Sequence, residues 1–192
     1  MDNKSHPVSD IENPPGGVLV QIVVIIELLT FGALMVTMAV YSRQYPIVFR
    51  QSCASMPVVT PFINTFLLIT SGFFLTLAML LFNNKNIRKG QNWFNLTLLA
   101  GISFLIIKTI EFFISYRSGH HFGINPYYTF YWMLTGFHYL HVWIAWILLV
   151  ALKPKTYKDL QTNENLEAAA TFWHFCDLIW VLLFPTVYLL YL

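Results

Sequence analysis

Five long apolar runs, separated by short polar segments, organise the chain: about Val18 to Tyr41, Phe62 to Phe82, Trp93 to Tyr116, Tyr127 to Leu152 and Ala168 to Leu192. At 1.5 Å per residue the first run is about 36 Å long, enough to cross a hydrocarbon core of roughly 30 Å with some tilt. The pattern therefore predicts an all-α integral membrane protein, a bundle of five transmembrane helices. Breakers punctuate it. Pro14-Pro15-Gly16-Gly17 ends a polar tail over residues 1–17, Pro57 and Pro61 precede the second run, Asn83 to Asn92 reads as a polar turn, and Pro126 opens the fourth. The segment carrying Arg43, Arg50 and Cys53 reads as a loop, and Lys153 to Glu167 as the one long charged connection. Pro185, inside the last run, removes a helical hydrogen bond and predicts a kink. No second domain, repeat or low-complexity tract interrupts residues 18–192, which are expected to form one membrane domain.

Composition sharpens this picture. Charged residues make up 10% of the 192-residue chain and hydrophobic ones 57%, with a mean hydropathy of +0.60. Soluble domains average about 25% charged residues, so a water-soluble globular domain is excluded. A net charge of +2 with no basic patch gives no reason to expect nucleic acid. Two cysteines, Cys53 and Cys176, rule out a disulfide framework, and Cys176 reads as a small buried apolar residue. The tail carries Asp2, Asp10 and Glu12 and lacks the basic start of a signal peptide, so the first run is expected to remain as a span. Lys4, Lys85, Arg88, Lys89, Lys153, Lys155 and Lys158 fall on the side of the N-terminus, against Arg43, Arg50 and Arg117 on the other. The asymmetry places the N-terminus inside and the C-terminus outside, with Cys53 and the His120-His121 pair facing outward.

Candidate chemistry lies in ionisable residues at membrane depth. Such groups normally turn toward other helices rather than toward lipid. His174 and Asp177, three residues apart on one helical face, are expected to turn inward and make the last helix central. Glu27 stands among apolar neighbours and reads as a carboxyl hydrogen-bonded to another helix, ahead of a proton relay. Lys108 and Glu111 read as a structural ion pair, although cation before anion is the weaker order on a helix. His138 and His141 offer two imidazoles from one face, and His174, Asp177 and Glu111 would bring the number to that of a metal site. His-x-x-His alone is a weak signal, and helix-bridging structural histidines are the simpler reading. No catalytic, haem-attachment or phosphate-loop motif is present. Two alternatives stay open on residues alone: a metal- or haem-binding redox protein using His138, His141 and His174, and a small proton-coupled transporter using Glu27, Glu111 and Asp177.

A resemblance narrows the choice. Thr135-Gly136-Phe137-His138-Tyr139-Leu140-His141-Val142, followed by Phe172-Trp173-His174-Phe175-Cys176-Asp177-Leu178-Ile179-Trp180, resembles the paired signature of subunit III of haem-copper oxidases. Ile26-Glu27, Ile63-Asn64-Thr65, Ser71-Gly72 and Glu111 fall in the same order, so the likeness covers nearly all of Val18 to Leu192. Phe112 and Cys176 depart from residues that are more often tyrosine and an aliphatic or methionine. Long members have seven helices, and this chain begins at what would be their third, as five-helix members do. Lys108-x-x-Glu111-Phe112, the aromatic run Tyr127 to Trp132 and Phe184-Pro185 look most like the nitric-oxide-reductase-associated branch. The resemblance implies a non-catalytic accessory subunit in a bacterial-type inner membrane with no catalytic residue, metal or cofactor of its own. Haem and copper or non-haem iron are expected in a catalytic, subunit I-type partner, with membrane lipids as further neighbours. The implied work is to stabilise that partner in respiratory electron transport, with a role in proton or gas access.

Overall fold

The computed structural model describes residues 17–154 and 164–192, and among these all regular structure is helical. The polar tail before Gly17 and the charged segment 155–163, with Lys4, Lys155 and Lys158 of the orientation argument, lie outside the described residues. Among the described residues five helices have the length and apolar composition to cross a membrane. They are α1 (Gly17–Gln44), α3 (Val59–Asn83), α4 (Ile87–Arg117), α5 (Pro126–Ala151) and α6 (Glu164–Tyr188). The sixth, α2 (Pro46–Ala54), is short.

The helices run past the apolar stretches because polar caps extend them. Asn86 accepts from the Lys89 amide and starts α4 at Ile87, inside the expected polar turn. Asn125 accepts from the Tyr128 amide at 2.9 Å, and Pro126 sits at the first position of α5, where its missing N–H costs nothing. At the far end α6 stops at Tyr188, short of Leu192.

The segment expected as a loop around Cys53 is instead α2. Pro46 opens it, and Phe49, Ser52 and Cys53 at helical spacing form its buried face. Phe49 packs edge-on against Tyr127 and Tyr191. Cys53 Sγ points at the backbone carbonyls of Val187 and Tyr188, at 3.8 and 3.5 Å. The thiol is fully buried, and that burial pushes its pKa up. Cys53 is therefore a poor target for a thiol reagent from either side.

The last helix is central, as its polar pair predicts. Half of its apolar window is buried, against a third in α3, α4 and α5 and 6% in α1. It packs on α1, α3 and α5, while α3 and α4 form a close antiparallel hairpin. Helix α1 leans on α5 and α6 and buries only Phe31 and Met38. Close approach at the centre depends on Gly101, where a Cβ would stand 2.5 Å from the Trp173 ring. That ring is fully buried and donates its Nε1–H to Ser71 Oγ at 3.1 Å.

Candidate functional site

The seven polar positions at membrane depth separate into three groups. The first lies on α4, whose buried face carries Phe104, Leu105, Lys108, Glu111 and Ser115. Lys108 Nζ donates to Glu111 Oε1 at 2.8 Å and to the Tyr188 hydroxyl oxygen at 2.6 Å. That hydroxyl donates in turn to Glu111 Oε1 at 2.5 Å, and Tyr131 donates to the same oxygen at 3.1 Å. Rings of Phe112, Trp180, Tyr188 and Tyr131 surround the ammonium at 4.8 to 5.4 Å. A charge this deep is tolerable only when paired and hydrogen-bonded; three donors on Oε1 with an aromatic cage supply that pairing, while Glu111 Oε2 is buried without a partner. The expected ion pair is present, and the sequence reading missed its partners Tyr131 and Tyr188. The signal available was a pair of tyrosines inside apolar runs, since a buried phenol needs a partner.

The second group divides the two histidines of α5. His138 is 1% exposed, stacks on Trp180 at 5.2 Å and meets Phe104 and Phe31 edge-on. Neither of its ring nitrogens has a hydrogen-bond partner. His141 turns away to α1, with Nε2 3.1 Å from Glu27 Oε1 and side chains only 11% and 18% exposed. Its Nδ1 lies 2.8 Å from the Phe137 carbonyl, which can only accept, so Nδ1 carries the hydrogen. Glu27 thus meets a side chain of another helix through Oε1, while its Oε2 is buried without a partner.

The third group is the α6 pair. His174 Nδ1 lies 3.6 Å from Asp177 Oδ2, and His174 Nε2 lies 3.5 Å from the Thr76 hydroxyl on α3. Neither contact is a strong hydrogen bond. Asp177 Oδ1 is buried with no partner. The carboxyl fits against α3 only because position 72 is glycine: a Cβ there would stand 2.1 Å from Asp177 Oδ2. The expectation that both side chains turn inward needs correction for His174, whose side chain is 44% exposed. A Cα on the flank of α6 places its imidazole at the α3–α6 boundary rather than inside the bundle. His138, His141 and His174 therefore face three different surroundings, and among the described residues no three His, Cys, Asp or Glu side chains gather to hold a metal.

This arrangement of helices and polar pairs can be set beside known proteins. Residues 20–191 match the family model described as Cytochrome c oxidase subunit III. The chain belongs to the cytochrome c oxidase subunit III family. Cytochrome c oxidase subunit 3 of Bacillus sp. (strain PS3) is 34% identical over 138 residues, covering 70% of this chain and 66% of that protein. The Synechocystis sp. protein of the same name is 29% identical over 165 residues, covering 83% and 69%. The probable cytochrome c oxidase subunit 3 of Rickettsia conorii is 34% identical over 138 residues, and there the chain spans about half the relative's length. All seven membrane-depth residues, from Glu27 to Asp177, lie inside the part that matches the subunit III family.

Proposed function

We propose that this chain is an accessory subunit of a haem-copper oxidase or nitric oxide reductase complex, with no catalytic centre or cofactor of its own. The observation that carries the reading is the match of residues 20–191 to subunit III. The site geometry supports it: Lys108 and Glu111 are consumed by each other and by two tyrosines, and the histidines are dispersed among separate helix contacts. On this reading the chain stabilises a subunit I-type haem protein, which holds the haem with copper or non-haem iron. Residues 18–192 act as one membrane domain in a bacterial-type inner membrane, N-terminus inside and C-terminus outside. Lys108-x-x-Glu111-Phe112 and the aromatic opening of α5 favour the nitric-oxide-reductase-associated branch. An apolar cleft of about 440 Å³ between α1, α5 and α6, lined by Val23, Ile144, Leu148 and Phe172, supports membrane lipids as further neighbours.

One observation favours an added role in proton access. The Glu27–His141 contact sets an imidazole nitrogen 3.1 Å from a carboxyl oxygen on the α1 side of the bundle. The redox alternative gains no such support, because its three histidines do not converge.

Mild-detergent extraction followed by absorption spectroscopy and metal analysis tests the reading. The chain is expected to travel with a large haem-bearing subunit and, once separated, to carry neither haem nor metal in stoichiometric amount. Recovery of the chain only alone or with itself, or a stoichiometric haem or metal on the separated chain, overturns it.

A further inference from the structure

His174 and Asp177 sit wrongly for a protein surrounded by lipid alone. The apolar run of α6 begins at about Ala168, so His174 and Asp177 lie roughly 9 and 14 Å along it, inside a hydrocarbon core of about 30 Å. Hydroxyls elsewhere on the outward faces of the spans, such as Thr30, Thr37, Thr70 and Ser103, bond to the carbonyl four residues earlier and offer lipid no unpaired donor. The α6 pair has no such escape. His174 is 44% exposed with only long contacts, and Asp177 beside it is 14% exposed. At this depth water is absent, and an unpaired polar group is expensive unless another protein surface covers it.

The surroundings have the form of a helix-docking seam. Phe66, Ile69 and Phe73 recur at three- and four-residue spacing on the outward side of α3, each more than half exposed, and Leu178 matches them on α6. Three occupants are conceivable, and two fail. A second copy of this chain across a two-fold axis would bring the same patch against itself and set Asp177 beside Asp177. A lipid headgroup belongs at the interface, roughly 15 Å from the midplane.

We propose that the α3–α6 face, centred on His174 and Asp177, docks a transmembrane helix of another subunit that places a basic or amide side chain against the Asp177 carboxyl at mid-depth. The incoming side chain meets the part of Asp177 left open, 14% of its side chain, beside the exposed His174 imidazole, while Oδ1 stays buried. Large apolar side chains on either side exclude lipid from the contact. This names the docking face for the complex proposed above and rests on that reading.

A photo-crosslinking amino acid placed at Thr76 or Leu178 of the membrane-embedded full chain, with Ile147 and Val36 as controls on other outward faces, tests it. Crosslinks from the two α3–α6 positions are expected at about fivefold or more the control yield. Mass spectrometry should place them on an apolar stretch of another protein within one turn of an Arg, Lys, Asn or Gln. In parallel, Asp177→Leu is expected to lower recovery of the complex about tenfold and Asp177→Asn less, as loss of a membrane-depth donor contact implies. If Asp177→Leu fails to accumulate, the crosslinks at Thr76 and Leu178, made with Asp177 intact, still decide. Equal yields from all four positions, crosslinks to lipid alone or to a second copy of this chain, or a partner stretch without such a donor, overturn the inference. Recovery of a wild-type complex with crosslinks only from the control faces overturns the docking face and leaves the accessory-subunit reading standing. Recovery of the wild-type chain with no other subunit removes both.

Discussion

Lys108–Glu111 on α4 and His174–Asp177 on α6 have the same spacing, a cation-forming residue three positions before a carboxylate, yet their fates are opposite. The α4 pair meets at 2.8 Å, is sealed from the outside and fills one carboxylate oxygen with three donors. The α6 pair stands at 3.6 Å with His174 44% exposed, and in both pairs one carboxyl oxygen, Glu111 Oε2 or Asp177 Oδ1, is buried without a hydrogen-bond partner. Spacing sets which residues share a face; what that face meets decides the rest. Helix α4 turns its polar face to Tyr131 and Tyr188 from α5 and α6, whereas α6 turns its own toward a glycine and a threonine on α3. One pair is sealed within the chain, and the other leaves its imidazole at the surface.

The comparison breaks most visibly at Glu111. Glu111→Leu leaves an ammonium and two phenols without their acceptor, and the expected loss is about 3 kcal/mol or more, as for other buried pairs cut on one side. The double change Lys108→Met with Glu111→Leu should recover most of it, because apolar residues of similar size replace buried pairs at little cost. Heat denaturation of detergent extracts reads both. If the double variant is as unstable as the single, the network holds the fold by something other than charge pairing.

A smaller effect is expected at Gly72. Gly72→Ala drives a methyl into the space of the Asp177 carboxyl and should cost about 1 to 3 kcal/mol by overpacking. Adding Asp177→Ala should relieve it, and the double-mutant cycle measures the coupling directly. Independent, additive effects would mean that the carboxyl does not rest against that glycine.

Asp177 itself comes next. Asp177→Asn keeps the shape and some hydrogen bonding, whereas Asp177→Leu keeps neither, so complex stability should fall further for Leu, by roughly 0.6 kcal/mol on the scale of membrane hydrogen bonds. A proton carrier would instead lose turnover equally in both variants with assembly unchanged. Smallest is Thr76→Val, which removes only a 3.5 Å contact to His174 and should stay within about 0.5 kcal/mol.

Much of the fold was legible because it rests on run length and hydropathy. Five apolar runs became five helices, and two ionisable side chains in the last run pointed to its central place. Helix ends were less legible: α4 begins at Ile87 through the Asn86 cap, a side-chain event that hydropathy does not register. Helix α2 was missed because Arg50 and Gln51 made it read as a polar loop, although Pro46 followed by a buried Phe49, Ser52 and Cys53 is a helical pattern in hindsight. The Lys108–Glu111 pair followed from spacing, being local. Its tyrosines, the seat of Asp177 against Gly72 and the pairing of Glu27 with His141 join residues far apart in the chain, and no periodicity states which face meets which. His174 is expected inside for the same reason: a rule about average burial cannot tell a core position from the flank of the bundle.

The most direct test of that distinction puts Glu111→Leu and Asp177→Leu side by side in the same membrane extract and reads the chain's own thermal midpoint separately from its recovery with the partner subunit. The account predicts that Glu111→Leu lowers the midpoint and the recovery together, while Asp177→Leu lowers recovery about tenfold and moves the midpoint little. A midpoint that falls as far for Asp177→Leu as for Glu111→Leu, or recovery untouched by Asp177→Leu, would contradict it.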